Sequence, residues 1–408
     1  MRSNYKKLGD FISPHNYLND GMEVTELLGI SNQKYFQKSH TNINGMDFST
    51  YRIVRTGQFA FNRATTRNGE KISIALRQGG DCIVSPSYRV FQVNDENELL
   101  SEYLLMWFKR PEFDRYVRFK SHGSAHEFFE YDQMCELELP IPPIAKQREI
   151  VKEYNVIQDR INLNNSLIQK LEETAQAVYK EWFVDFEFPN EEGKAYKSSG
   201  GKMVWCEELG KEIPKDWKIG RLCDILECNP ETLSTKDNFK SILYLDTSNI
   251  TNNRINELQE LDLENDEIPS RARRKVKDND IIFSTVRPAL KHYGIIKNLP
   301  DNLIVSTGFA VLRVIEQRFS SELVYSFLTD KKTVAFLQAK AEMSVSTYPS
   351  VTSDDIMNLD FAKPNDNVLD KARDIFRSKD DFINLKNKEN QKLTELYELL
   401  LSKLATIN

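Results

Sequence analysis

No apolar run in the 408-residue chain reaches the ~18 positions of a membrane-crossing helix, because charged residues interrupt every long apolar pattern. A helical integral membrane protein is excluded. The opening residues, MRSNYKKLGD, carry charge but no apolar stretch, so no secretory leader is expected and a cytoplasmic protein follows. Cysteine is scarce. The five residues Cys82, Cys135, Cys206, Cys223 and Cys228 are odd in number and contain no C-x-x-C pair, which argues against a disulfide framework and a zinc ribbon and leaves reduced, mostly buried thiols. Excess basic charge is also missing: 55 Lys and Arg stand against 61 Asp and Glu, a net charge of -6. Taken alone, that balance counts against a nucleic-acid partner. Apolar material is ample at 40% of the chain, with 11% aromatic, which excludes global disorder and predicts two or three domains at ~100–200 residues each.

Catalytic signatures are missing as well. There is no G-x-x-x-x-G-K-[ST] loop, no G-x-G-x-x-G after a predicted strand and no Pro-Pro-aromatic motif of amino-methyltransferases; Asn229-Pro230-Glu231 reads as a turn. Glu192-Gly193-Lys194 has the E-x-K spacing of nucleases but no upstream strand-borne Asp. Among the five histidines only His122 and His126 stand at i, i+4, without a matching carboxylate, so no metal site is expected. The chain is read as non-catalytic.

What the sequence does contain is a repeat. INLNNSLIQKL from Ile161 matches INLKNKENQKL from Ile383, an offset of 222 that also pairs Phe61 with Phe283 and Pro142 with Pro364. IVSPSYRVF from Ile83 matches IVSTGFAVL from Ile304, SEYLLMWF from Ser101 matches SELVYSFL from Ser321, and KLGDFI from Lys7 matches RLCDIL from Arg221. The chain is two copies of one unit, each a globular head followed by a long helix.

Both helices show heptads. In the first, Tyr154, Ile161, Ile168, Ala175 and Trp182 form one row, and Ile157, Leu171 and Val178 the other, interrupted by Asn164. In the second, Phe376, Ile383, Tyr397 and Leu404 form one row, interrupted by Asn390, and Leu393 and Leu400 the other, interrupted by Lys379 and Lys386. Apolar rows at this spacing form a coiled-coil seam, and a polar residue within one fixes register. Each seam needs a partner, the simplest being the other. A Gly-, Ser- and charge-rich run reads as a linker that lets the second head return beside the first helix, making the helices antiparallel with a pseudo-two-fold axis. A helix of about 40 residues would span roughly 60 Å. The expected fold is α+β: a mixed α/β head at 1–142, a helix at 143–186, a linker at 187–213, a second head at 214–364 and a second helix at 365–408.

Charge is distributed unevenly. Arg52, Arg55, Arg63, Arg67, Lys71, Arg77 and Arg89 face only Glu70 and Asp81 between Tyr51 and Val90. Arg271, Arg273, Arg274, Lys275, Lys277, Arg287, Lys291 and Lys297 face only Asp278 and Asp280 in the second copy. Basic stretches at corresponding places, mixed with Asn, Thr, Ser and Tyr, suit contact with base edges and phosphates.

LPIPPIAKQREIV at 139–151, EWFVDF at 181–186, IPKDWKIGRLCDI at 213–225 and YLDTSNI at 244–250 resemble the specificity subunits of type I restriction-modification systems. The resemblance runs over essentially the whole chain, including the order target-recognition domain, spacer helix, target-recognition domain, spacer helix. The second spacer, opening PNDNVLDKARDIF, departs by lacking the P-P-x-x-x-Q opening of the first. The resemblance implies a non-catalytic subunit that holds no cofactor and binds double-stranded DNA, each head reading one half of a bipartite, asymmetric target and the helices setting the gap. It also implies docking of two methyltransferase subunits that use S-adenosylmethionine, and of restriction subunits that use ATP and Mg. A helix of roughly 60 Å, with heads centred somewhat inside its ends, spans on the order of one to one and a half turns of B-DNA at ~34–36 Å per turn.

Position and type then select candidate DNA contacts. In the first head these are Arg52, Arg55, Asn62, Arg63, Thr65, Thr66, Arg67, Arg77, Ser87, Tyr88 and Arg89, with Ser121, His122, Ser124 and His126 from a second loop. The second-head set is Arg271, Arg273, Arg274, Ser284, Thr285, Arg287, Lys291, His292 and Tyr293, with Ser344, Ser346, Thr347 and Tyr348. The rival readings are a stand-alone DNA-binding regulator and a coiled-coil adaptor whose heads bind proteins.

Overall fold

The computed structural model describes residues 5–39, 45–64, 71–121, 128–234, 236–298, 300–344 and 349–406. It divides into two units, Met1–Leu163 with Glu389–Asn408, and Asn164–Lys388, so that each is a head plus a length of both long helices.

The first head is built on an antiparallel sheet in the order Ile12–His15, Tyr88–Val93, Phe59–Asn62, Ile74–Leu76. Arg52–Val54 pairs with Cys82–Val84, Leu28–Ile30 with Phe36–Lys38, and Tyr5–Lys7 with Glu138–Pro140. Alternate residues of the central strands meet beneath the helix Ser101–Phe108: Phe59 stacks on Phe91 at 5.0 Å, and Phe108 closes edge-on at 5.5 Å from Phe59. The next helix, Pro111–Lys120, starts on a proline, with Glu112 and Asp114 in its first turn and Arg118 and Lys120 in its last, the charge order a helix dipole favours.

The second head repeats this plan. Its sheet runs Leu226–Cys228, Phe309–Val314, Ile281–Ser284, Tyr293–Ile295, followed by the helices Ser321–Leu328 and Lys331–Glu342. The repeat holds at the level of register: Ile12 pairs with Val93 and Leu226 with Val314, Phe61 with Arg89 and Phe283 with Ala310, Arg52 with Val84 and Arg274 with Val305. An additional sheet, in the order Gln259–Asp262, Ser241–Leu245, Leu303–Ser306, Ala272–Lys275, contains the parallel pair Ser241–Leu245 with Leu303–Ser306.

The long helices are Ile144–Tyr179, continued by a π turn over Lys180–Val184, and Asp366–Lys403. In the first unit Tyr154 lies against Tyr397, ring centroids 5.2 Å apart and hydroxyls 3.2 Å apart, while Arg160 Nε donates to Glu389 at 2.5 Å. One number rises as the other falls, so the pairing is antiparallel. Ile157 and Leu404 are buried there, with Ile161, Asn390, Leu393 and Leu400 half-buried; in the second unit Asn164, Ile168, Phe376 and Ile383 are buried and Leu171 and Val178 half-buried. A second heptad row on the Asp366–Lys403 helix, Phe382 and Leu385 in one unit and Leu396 and Leu399 in the other, stays exposed. The seam read from the sequence does not include these four residues, although they repeat at the same spacing.

The P-P-x-x-x-Q motif has a mechanical role. Gln147 is fully buried; its amide donates to the carbonyls of Glu98 and Pro142 and its oxygen accepts from Leu100 N–H, tying the helix start to the head. At the matching position the second helix has Leu369, which is buried among apolar side chains. An apolar anchor there replaces the polar one.

The 187–213 segment, expected as a linker, is folded. It carries the hairpin of Met203–Cys206 with Lys211–Pro214, and Phe188 stacks on Tyr196 at 4.6 Å and on Trp217 at 5.2 Å. Its glycines serve turns, Gly200 at φ +86° among them, and its aromatic residues supply a core that a composition count overlooks.

Candidate nucleic-acid interface

In the first head one end of the sheet gathers much of the arginine. Antiparallel pairing sets Asn62 opposite Tyr88 and Phe61 opposite Arg89, and the neighbouring strand begins at Arg52, so Arg52, Asn62, Arg63, Tyr88 and Arg89 share that end. Arg63 Nη1 donates to Glu130 at 2.8 Å, Arg89 Nε lies 3.3 Å from the other oxygen of Glu130, and the Arg63 guanidinium sits 4.6 Å over the Phe128 ring. Burial, together with the charges of Arg89 and Arg63, pulls the Arg52 pKa down. The end strand closes by an Ala64–Phe128 bridge and a hydrogen bond from Phe129 N–H to the Arg63 carbonyl.

Other candidates are placed elsewhere. Arg55 and Arg77 flank Gln58 at the opposite end of the same strands, where Arg77 N–H donates to the Gln58 carbonyl. Arg77 is tied to Glu26 at 2.6 Å and Arg55 stacks on Tyr17 at 4.8 Å, so these two are separated from the arginine cluster. Ser87 is exposed in the turn before Tyr88, whose hydroxyl accepts from Ile30 N–H at 3.4 Å. Ser121 is buried, its hydroxyl donating to the Val117 carbonyl. Thr65, Thr66, Arg67, His122, Ser124 and His126 lie outside the described residues, as do Ser346, Thr347 and Tyr348 of the second head.

The second head keeps the backbone of this end and changes its side chains. Val286 bridges Ser350 and Val351 N–H donates to the Thr285 carbonyl, the counterparts of the bonds at Ala64 and Phe129. Where the first head has Arg63, Arg89 and Glu130, the second has Thr285, Ala310 and Thr352; of the arginines only Arg274 remains, paired in the strand like Arg52. Thr285 Oγ1 donates to the Gly308 carbonyl. Arg271, Arg273, Arg287 and Lys291 are exposed, with Arg287 and Lys291 at φ +46° and +60° on the turn that precedes His292. His292 Nδ1 lies 2.6 Å from the Ile250 carbonyl. Ser344, at the end of the following helix, is half-buried.

Two expected contacts are core residues instead. Tyr293 is 3% exposed and stacks on Phe283, because its strand faces the helix Ser321–Leu328; Ser284 is buried, with its hydroxyl donating to the Val286 carbonyl. Several cations counted in the second basic stretch also hold the fold: Lys275 pairs with Asp237, Lys277 with Glu231, and Lys297 with Glu322 and Asp380. Sequence reasoning missed Glu130 and Phe128, which follow the second loop and reach Arg63 only through the fold. Among the described residues no group of three His, Cys, Asp or Glu side chains could hold a metal ion, and no helix is long and apolar enough to cross a membrane.

Comparison with known proteins matches residues 19–173 to the type I restriction modification DNA specificity domain. The chain is 27% identical over 188 residues to the HindI type I restriction enzyme specificity subunit of Haemophilus influenzae, covering 45% of this chain and 40% of that protein. It is 35% identical over 130 residues to the MjaIX specificity subunit of Methanocaldococcus jannaschii, covering 32% of this chain and 28% of the relative. The matched stretches thus span less than half the length of either relative. A crystal structure of the type I restriction-modification S subunit from M. genitalium shares the fold with a TM-score of 0.55 at 13% identity, covering 98% of this chain and 95% of that one. Residues 19–173 thus resemble the type I restriction modification DNA specificity domain, and the chain with its repeated heads and long helices shares the fold of a solved S subunit.

Proposed function

We propose that this chain is the DNA sequence-specificity subunit of a type I restriction-modification complex. Each head reads one half of a bipartite target in double-stranded DNA. One observation carries this reading: the same head occurs twice in register, yet its loop-bearing sheet end is Arg52, Arg63, Arg89 and Glu130 in one copy and Arg274, Thr285, Ala310 and Thr352 in the other. A shared frame with different polar side chains suits two readers of different base sequences, hence an asymmetric target.

The long helices set the gap between the halves, and the exposed row of Phe382, Leu385, Leu396 and Leu399 offers apolar surface for two methyltransferase subunits. Those subunits bind S-adenosylmethionine and methylate adenine; restriction subunits bind ATP and Mg; this chain holds no cofactor and acts in the cytoplasm. With a net charge of -6, its own attraction for phosphate is weak, and tight DNA binding requires the assembled complex.

The test is selection from a randomised duplex pool by the full chain co-expressed with a methyltransferase subunit of its host. The expected product is a motif of two specified blocks separated by a fixed gap. A single uninterrupted block, or equal selection by the chain without the methyltransferase, would instead support a stand-alone regulator.

A further inference from the structure

We infer that Arg63 and Arg89 of the first head form a guanine-reading pair and that Glu130 is the positioning residue that aims them. This inference rests on the proposed DNA-specificity role and names the base class that one head selects.

The chemistry starts from the guanidinium group, a planar fork of five N–H donors. Glu130 Oε2 lies 3.3 Å from Arg89 Nε, an ion-pair contact that holds the second guanidinium beside the carboxylate that Arg63 binds. Two parallel N–H donors presented end-on match the adjacent O6 and N7 acceptors that guanine shows in the major groove. Arg63 is held by two contacts, Nη1 on Glu130 at 2.8 Å and its face on Phe128 at 4.6 Å, which together restrain its plane. Such preorganisation lowers the ordering cost of binding. Arg52 stands close enough to feel the charge of both, so the group carries an excess of positive charge toward an electron-rich base edge.

A purely structural role is countered by the second head. There the same bridge and the same backbone hydrogen bond form with Thr285, Ala310 and Thr352 in place of the three ionic groups, so the frame does not require them. The side chains of Arg63, Arg89 and Glu130 are 35%, 26% and 40% exposed, open enough to meet a ligand.

The duplex selection described above is repeated with Arg89→Lys, Glu130→Gln and Arg89→Ala. Lysine keeps the charge but loses the fork, and glutamine keeps the size but releases the second arginine. The wild-type chain is expected to specify a G·C pair in one block. Arg89→Lys and Glu130→Gln are expected to relax that one position by about tenfold while the other block stays unchanged. If Arg89→Lys leaves the base preference intact and Arg89→Ala weakens all sequences equally with a smaller salt slope, the group contacts phosphate and the inference fails while the specificity reading survives. If the wild-type chain selects no two-block motif, the specificity reading itself fails and the inference with it.

Discussion

The two heads share a backbone and differ in where their cations sit. The first gathers Arg52, Arg63 and Arg89 at one sheet end around a single carboxylate. The second draws many of its cations into its own scaffold: Arg313 bridges Asp280 and Glu231, Lys275 and Lys277 hold Asp237 and Glu231, and Lys297 holds Glu322 and Asp380 beside the second long helix. The matching positions on the first helix, Ile157 and Gln158 for Lys379 and Asp380, are not ionic. Similar basic counts along the chain therefore describe unequal surfaces: among the second head's cations Arg271, Arg273, Arg287 and Lys291 stay exposed.

Removing the cation of the buried junction should break this comparison most forcefully. Lys297→Met leaves Glu322 and Asp380 buried without their partner and is expected to cost about 3 kcal/mol, read as a lowered denaturation midpoint of the second unit. Next, Arg89→Ala should weaken the first half-site by about 1–3 kcal/mol and leave the second untouched, measured by competition between duplexes altered in one block.

Acid sharpens the contrast. Despite burial, Lys297 holds the Glu322 carboxyl below its ordinary 4.5, so its contribution is present above that pH and is lost as pH falls through the lowered value. Asp380 runs the other way, because burial raises its pKa and favours the folded state at low pH. Asp355, held by Lys340 and the Thr352 N–H at about 2, loses its contribution between 3.8 and 2. Glu322→Gln should flatten the fall in stability below pH 4.5, a change read from denaturation midpoints against pH. The smallest effect is expected at the helix seam of the first unit, where Tyr397→Phe removes one hydroxyl contact to Tyr154 and should cost about 1 kcal/mol in thermal unfolding.

The repeat and the helices were legible in the sequence because both rest on apolar residues whose spacing the core enforces. Phe61 and Phe283 occupy matching places in matching strands, and Tyr154 meets Tyr397 in the seam as the heptads predict. The site was only half legible. Charge counted along the chain does not know which end of a strand a residue occupies, so Arg55 and Arg77 entered the same group as Arg63 although they sit at the far end. Nor does it know facing, so Tyr293 was taken for a contact and is a core ring. Glu130 reaches Arg63 across 67 positions, and only the strand order makes them neighbours. The 187–213 segment was misread for a related reason: polar turns dominate its composition while Phe188 and Tyr196 fold it.

The central claim is that one chain carries two readers of one bipartite target. Long-read mapping of adenine methylation in host cells with and without this chain tests it most directly. The account predicts a two-block motif with a fixed gap that disappears when the chain is deleted and returns when it is restored; a methylation pattern unchanged by the deletion, with the partner methyltransferase still expressed, would contradict it.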